Sequence, residues 1–146
     1  MTPDQRPLPV CEIEMTIPFH DVDMMQIVWH GHYVRYLEVA RCALLDLIDY
    51  NYMEMRASGY AWPVIDLRLR YAGPLMFTQK VLIEARLVEW EHRLKIDYVI
   101  RDAATRKRLT RAWSVQVAVG VEDLEMRLAS PAVLIERLLA WQDAQA

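Results

Sequence analysis

The sequence predicts an α+β fold: an antiparallel sheet of about five strands, one long helix inserted after the first strand, and a helix closing the chain. Three observations predict it. Five segments alternate apolar and polar residues, one segment switches to a period near 3.6, and the connections between the later strands are too short for the crossovers that parallel strands need. The composition agrees, since 146 residues, 54% hydrophobic and 25% charged, are expected to form one domain that buries roughly 68–70% of its unfolded surface without disulfides or a structural metal.

Residues 1–9 hold Pro3, Pro7 and Pro9 and no periodicity, and read as a flexible arm ahead of a single domain over 10–146. From Val10, Cys11, Ile13, Met15, Ile17 and Phe19 share one face of a strand and Glu12, Glu14 and Thr16 the other. After a polar stretch from His20 to His32, Tyr33, Leu37, Ala40, Leu44 and Leu47 step by four and three, the apolar stripe of a long helix. That helix frays near Tyr50 to Tyr52, and a short second turn ends at Gly59. Ile65, Leu67, Leu69 and Tyr71 then alternate with Asp66, Arg68 and Arg70, and beyond Gly73-Pro74, Val81, Ile83, Ala85 and Leu87 form the next apolar face. Leu94, Ile96, Tyr98 and Ile100 make a further strand, and Trp113, Val115, Val117, Val119 and Val121 alternate with residues small enough for both faces to be covered. Ser130 before Pro131 reads as an N-cap and first turn for a helix to Asp143, with Val133, Leu134, Leu138 and Trp141 inward.

Charge and composition exclude several function classes. Seventeen basic against twenty acidic residues leave a net charge of -3, without the positive field of a general nucleic-acid binder. No uncharged apolar run approaches the ~18 residues that span a bilayer, and the start of the chain lacks a basic-then-apolar leader, so a cytoplasmic protein without membrane insertion is expected. Cys11 and Cys42 stand far apart without ligand-like spacing and read as reduced, buried thiols. A five-stranded sheet leaves edges and apolar surface to cover, which predicts a homo-oligomer, a dimer or a tetramer.

Chemistry concentrates between His20 and Tyr33, where Asp21, Asp23, His20, His30 and His32 precede the long helix. A carboxylate, a titratable imidazole and the free N–H groups of a helix start are the parts of an acyl-transfer site. The same residues also suit an Asx turn at Asp21 or Asp23 and helix capping by His30 and His32. His30-x-His32 near two aspartates suggests part of a metal site, but there is no HExxH, only His92 downstream and no cysteine pair, so neither a metal nor any cofactor is expected.

The segment resembles the signature of the hot-dog-fold acyl-CoA thioesterases, the group of 4-hydroxybenzoyl-CoA thioesterase and the YbgC-like enzymes. Their pattern of Asp-x-Asp, a short turn, Ile/Val-Val, an aromatic, His or Tyr, two residues and Tyr is met by Asp21-Val22-Asp23, Met24-Met25-Gln26, Ile27-Val28, Trp29, His30 and Tyr33. Tyr36, Leu37, Glu38 and Arg41 follow in the helix, and Tyr71-Ala72-Gly73-Pro74 matches a Tyr-x-x-Pro turn, so the similarity runs from about Glu12 to Val121. The resemblance implies a curved sheet wrapped around the long helix, with active sites at a subunit interface. It also implies hydrolysis of an acyl- or aryl-CoA or acyl carrier protein thioester. Asp23 takes the place of the catalytic carboxylate, as base or nucleophile, and His30 that of the catalytic histidine; backbone N–H groups at His30 and Gly31 would polarise the carbonyl. Asp21 holds a less constant position and reads as structural.

Many relatives carry Gly in the turn after the catalytic aspartate, where this chain has Met24-Met25-Gln26. The methionines would give an acyl pocket a soft wall suited to an extended chain, unless they simply pack. Trp29 and Tyr33 are further candidate substrate contacts, Trp113 is expected in the core, and Trp62 is open to either role. Arg101, Arg106, Lys107, Arg108 and Arg111 gather around a hairpin turn at Ala103 to Thr105; they keep a sheet end soluble, or Arg106 and Arg108 hold CoA phosphates or an acidic carrier protein. Two other readings remain at this stage: a hot-dog dehydratase or hydratase acting on a 3-hydroxyacyl thioester, and a binding protein that keeps the pocket without catalysis.

Overall fold

The structure is a computed structural model that describes residues 2–146. Its chain order is β1 (Val10–Thr16), α1 (Tyr33–Leu47), α2 (Tyr52–Ala57), β2 (Tyr60–Ala61), β3 (Val64–Tyr71), β4 (Lys80–Glu89), β5 (Leu94–Asp102), β6 (Arg108–Gln116), β7 (Val119–Gly120) and α3 (Ala132–Gln145). Five strands form one antiparallel sheet in the order β1-β4-β5-β6-β3, and β2 pairs with β7 apart from it. The expected α+β architecture, with the long helix inserted after the first strand, is therefore present.

The helix packs on β4 and β1. Its stripe of Tyr33, Tyr36, Leu37, Ala40, Leu44 and Leu45 is buried, against Val81, Ile83, Ala85 and Leu87 of β4 and Leu94, Ile96, Tyr98 and Ile100 of β5. At about 1.5–3 kcal/mol for each fully buried large apolar side chain, this interface dominates the stability of the fold. Tyr98 stays polar at its tip, its hydroxyl 2.8 Å from that of Ser114. After α1, Asn51 caps α2 by accepting the Tyr52 N–H at 2.8 Å while Glu54 accepts the Asn51 N–H at 3.0 Å. Gly59 ends the turn at φ +92°, a conformation costly to any residue with a Cβ.

Several expectations are corrected. Phe19 does not continue the face of β1: Pro18 ends the strand, and Phe19 is exposed against the edge of Phe77. Leu47 is exposed, its place in the core taken by Leu45 and Ile48. On β3, Ile65, Leu67 and Tyr71 are exposed because α1 packs over β4 and β1, toward the other edge of the sheet, and leaves this edge strand uncovered. Trp113 is half-buried on the face away from α1, with the Lys95 ammonium 5.1 Å from its ring centroid. The last sheet strand stops at Gln116, and the chain turns to pair Val119–Gly120 with β2.

The segment before β1 makes polar contacts with the rest of the chain. Trp90 donates to Asp4 at 2.6 Å, the Gln142 amide on α3 donates to the carbonyls of Pro3, Arg6 and Pro7, and Arg6 pairs with Asp143 at 2.7 Å; Met1 lies outside the described residues. Helix α3 begins one residue later than expected, capped by Pro131, and the buried Ser130 hydroxyl makes no capping bond. Cys11 is half-buried and Cys42 exposed, both unpaired, because Cys42 falls on the solvent side of α1. No helix among the described residues is long and apolar enough to cross a membrane.

Candidate active site

Asp23 sits in a tight turn that its own carboxylate closes. Its Oδ1 accepts the Met25 N–H at 2.8 Å and the Ile27 N–H at 3.3 Å, while its backbone N–H donates to the Ile27 carbonyl at 2.9 Å. The Asx turn is therefore real, and it leaves Oδ2 free of protein hydrogen bonds among the described residues. Gln26 carries φ 62° in this turn, a conformation that glycine adopts without cost and other residues rarely do. A side chain there costs about 1–2 kcal/mol, and the Phe77 N–H donating to the Gln26 carbonyl at 3.0 Å helps hold it.

The chain then reaches a 3-10 turn, His30–His32, that runs directly into α1. Neither His30 nor His32 caps the helix with its side chain. The N–H groups of His30 and Gly31 are taken by no acceptor among the described residues. These donors, at the positive end of a 15-residue helix, suit a developing oxyanion. Gly31 leaves room for the Trp29 ring, into which a Cβ at that position would collide.

Asp23, Ile27, Val28, Trp29, His30 and Tyr33 line one side of an open cavity of about 380 Å³. Its opposite wall is the turn after β3, Tyr71 to Pro74. Tyr71 donates to the His30 carbonyl at 3.0 Å and stands edge-on to Tyr33 at 4.7 Å, clamping the end of β3 to the helix start. Burial pushes the Tyr33 and Tyr71 phenols up from their ordinary value, so both are neutral donors at neutral pH.

The structure thus brings Asp23, Trp29, His30 and Tyr33 together at the cavity, with the free N–H of His30 there and that of Gly31 next along the chain. It does not bring Met24 and Met25 to the cavity, because the turn throws both side chains outward, Met24 being fully exposed. Arg106 and Arg108 do not line it either. Arg106 lies 3.6 Å from Glu12, and Arg108 precedes Leu109, whose carbonyl accepts the N–H groups of Ala72 and Gly73 in the cavity wall. The two arginines therefore stand at the same end of the sheet as the cavity.

One feature of the site was not read as such from the sequence: the wall Tyr71 to Pro74, which the sequence offered only as a Tyr-x-x-Pro turn. Asp21, read as structural, has that role: it is 3% exposed and accepts from the Tyr36 hydroxyl at 2.5 Å and from Arg35 at 2.6 Å, while its carbonyl accepts the Trp29 N–H at 3.1 Å. Burial works to raise the Asp21 carboxyl, but the bonds from Tyr36 and Arg35 and the Arg35 charge outweigh it and hold the group below its ordinary value. Its partner Tyr36 is pushed above its ordinary range by burial and by Asp21, and so remains a donor.

A five-stranded antiparallel sheet against one long helix, with a carboxylate turn at the helix start, defines a hot-dog fold. The chain belongs to the thioesterase-like superfamily, whose family model matches residues 17–142. A curated relative in Bacillus subtilis (strain 168), "Putative acyl-CoA thioesterase YneP", is 27% identical over 81 residues, 56% of this chain and 59% of that protein, so the match spans little more than half the relative's length. Among solved structures, the 1,4-dihydroxy-2-naphthoyl-CoA thioesterase Slr0204 of Synechocystis superposes with a TM-score of 0.78 at 17% identity, covering 89% of this chain and 96% of that one. A 4-hydroxybenzoyl-CoA thioesterase in complex with 4-hydroxybenzoyl-CoA superposes with a TM-score of 0.76, also at 17% identity, over 89% and 99% of the two chains. At these identities the solved structures share the fold.

Proposed function

We propose that this protein hydrolyses acyl- or aryl-CoA thioesters, or the corresponding acyl carrier protein thioesters, to the free acid and the thiol. One observation carries the reading: Asp23, whose Oδ2 accepts no hydrogen bond among the described residues, and His30, whose N–H is unoccupied, line the same cavity, with the unoccupied N–H of Gly31 next along the chain. Asp23 removes a proton from the attacking water, or attacks the thioester carbon itself to form an anhydride that water then opens. The N–H groups receive the charge that develops on the carbonyl oxygen. His30 orients the carbonyl or the water, and Trp29, Tyr33 and Tyr71 enclose the acyl or aryl group. The atoms balance: the carbonyl carbon gains the water oxygen, the C–S bond breaks, and the sulfur leaves as the thiol with a proton. Thiol release measured with a disulfide reagent over acyl-CoAs from short alkyl to long alkyl and aryl tests this. Release from none of them, with none from the carrier-protein esters, would overturn the reading.

The protein acts as a homo-oligomer in this proposal. β3 is a sheet edge carrying exposed Val64, Ile65 and Leu67, which a second copy would cover. Light scattering at micromolar concentration is expected to give at least twice the chain mass, and a monomeric mass would remove this part. Arg106 and Arg108 meet the phosphates of CoA. The variant R106E/R108E is then expected to raise KM for an acyl-CoA about 10-fold with kcat largely kept, whereas an unchanged KM would take both residues out of the site. Two unpaired thiols and a CoA substrate support a cytoplasmic location in this reading.

A further inference from the structure

The basic residues gathered near the β5–β6 hairpin divide in the structure. Arg101 is held by Glu84 at 2.8 Å and Arg106 lies 3.6 Å from Glu12. Arg111 instead points to the sheet face away from α1, beside Arg68 and Arg70 of β3. No carboxylate among the described residues lies within 4 Å of any of these three guanidinium groups.

The strand register fixes their arrangement. Arg68 stands opposite Trp113 and Arg70 opposite Arg111 across β3 and β6; Asp97 stands opposite Trp113 and Val99 opposite Arg111 across β5 and β6. These six side chains surround a second cavity, of about 320 Å³, and Lys95 adds a fourth cation over the Trp113 ring. Like charges directly opposed across a sheet destabilise it, so the Arg70–Arg111 pair is a cost carried by a chain whose net charge is -3. A second copy of this face stacked on the first would add to that repulsion. A bound anion would relieve it, and guanidinium forks match the oxygens of phosphate. Trp113 adds an aromatic surface of the kind that holds a planar ring. Asp97 repels a bare polyphosphate but accepts hydrogen bonds from hydroxyl or amino groups.

We propose that this outer face of the sheet binds a nucleoside polyphosphate, its phosphates on Arg68, Arg70 and Arg111, its base against Trp113 and its hydroxyl or amino donors on Asp97. Isothermal titration of the full chain with ADP tests it, with adenosine and pyrophosphate as the two halves of the ligand. Saturable ADP binding at one per chain is expected, with each half about 10-fold weaker or more. The variant R70Q/R111Q removes the opposed charges, so it is expected to melt no lower than wild type while losing about 10-fold or more in ADP affinity. No ADP binding at about 1 mM, undiminished binding by that variant, or pyrophosphate binding as tightly as ADP would each overturn the proposal. Repeating the titration in saturating CoA separates this face from the substrate site: ADP binding is expected to persist, and its displacement would overturn the proposal by giving the nucleotide to the place where Arg106 and Arg108 meet the CoA phosphates. Because no turnover is measured, failure here leaves the thioesterase reading untouched.

Discussion

Replacing Asp23 with Asn lowers thioester turnover about 100- to 10,000-fold, the range expected for loss of a positioned base or nucleophile. The fold should survive the change. An amide oxygen can still accept the Met25 and Ile27 N–H groups that close the turn, now 2.8 and 3.3 Å from Oδ1. What changes is the free oxygen, replaced by an NH2 group that neither accepts a proton from water nor attacks a carbonyl. The loss is expected in kcat, with KM for the acyl-CoA within a few-fold of wild type, because the groups that enclose the acyl chain and receive the oxyanion are untouched. Thiol release by purified wild type and D23N, alongside a far-ultraviolet spectrum and a melting curve for each, checks both halves. A folded D23N that retains most of the wild-type turnover would remove Asp23 from the chemistry, and a D23N that melts early would show the carboxylate to be mainly the closure of its turn.

The strands that face α1 were legible because both of their neighbours are supplied by the same chain. Val81, Ile83, Ala85 and Leu87 alternate in sequence and are buried in the fold, as are Leu94, Ile96, Tyr98 and Ile100. The same alternation misled on β3. Ile65 and Leu67 repeat with a period of two, yet the pattern tells only which residues share a face and not whether anything lies over it; α1 lies elsewhere, and both remain exposed. Trp113 shows the complementary error, since its aromatic character suggested the core while its register places it opposite Asp97 and Arg68 on the outer face. The segment before β1 was illegible for another reason. Its contacts are with Trp90, Gln142 and Asp143, some 86 to 139 residues away in sequence, which no local pattern reports.

In the site, the short-range parts were readable and the long-range parts were not. Asp23, His30 and Gly31 lie within nine positions of one another and share a turn and a helix start, so a motif captures them. The Tyr71 bond to the His30 carbonyl spans 41 residues and depends on where β3 ends. Met24 and Met25 were placed in the pocket by their chemistry, but a turn that bonds its own backbone to Asp23 points successive side chains outward.

Removing the Asp21 carboxylate has the largest expected effect on stability. The D21A variant leaves the Tyr36 hydroxyl buried without its acceptor and deletes the group that joins the helix to the loop carrying Trp29. Hydrogen bonds to a charged group contribute about 1.5–3 kcal/mol, and an orphaned buried donor costs a similar amount, so a loss of about 3 kcal/mol is expected, lowering Tm by roughly 6–12 °C. The pH dependence gives a second check with a definite sign. Because the folded-state carboxyl sits below its ordinary value of 3.8, the unfolded chain binds the proton more readily, and the stability from Asp21 is complete above that value and lost as pH falls through the folded one. Wild type should therefore lose stability more steeply than D21N as pH drops below about 4, and the two curves should converge in acid. Other carboxylates held low by arginines, such as Glu84 beside Arg101 and Arg86, contribute to both curves and cancel in the difference. The variant Y36F should cost less alone than D21A, and the double variant D21A/Y36F should cost less than the sum of the two, since both remove the same bond. Parallel wild-type and D21N curves across this range, or a D21A variant melting within about 2 °C of wild type, would show that the loop and helix are held together by packing of Tyr33, Tyr36 and Val28 instead.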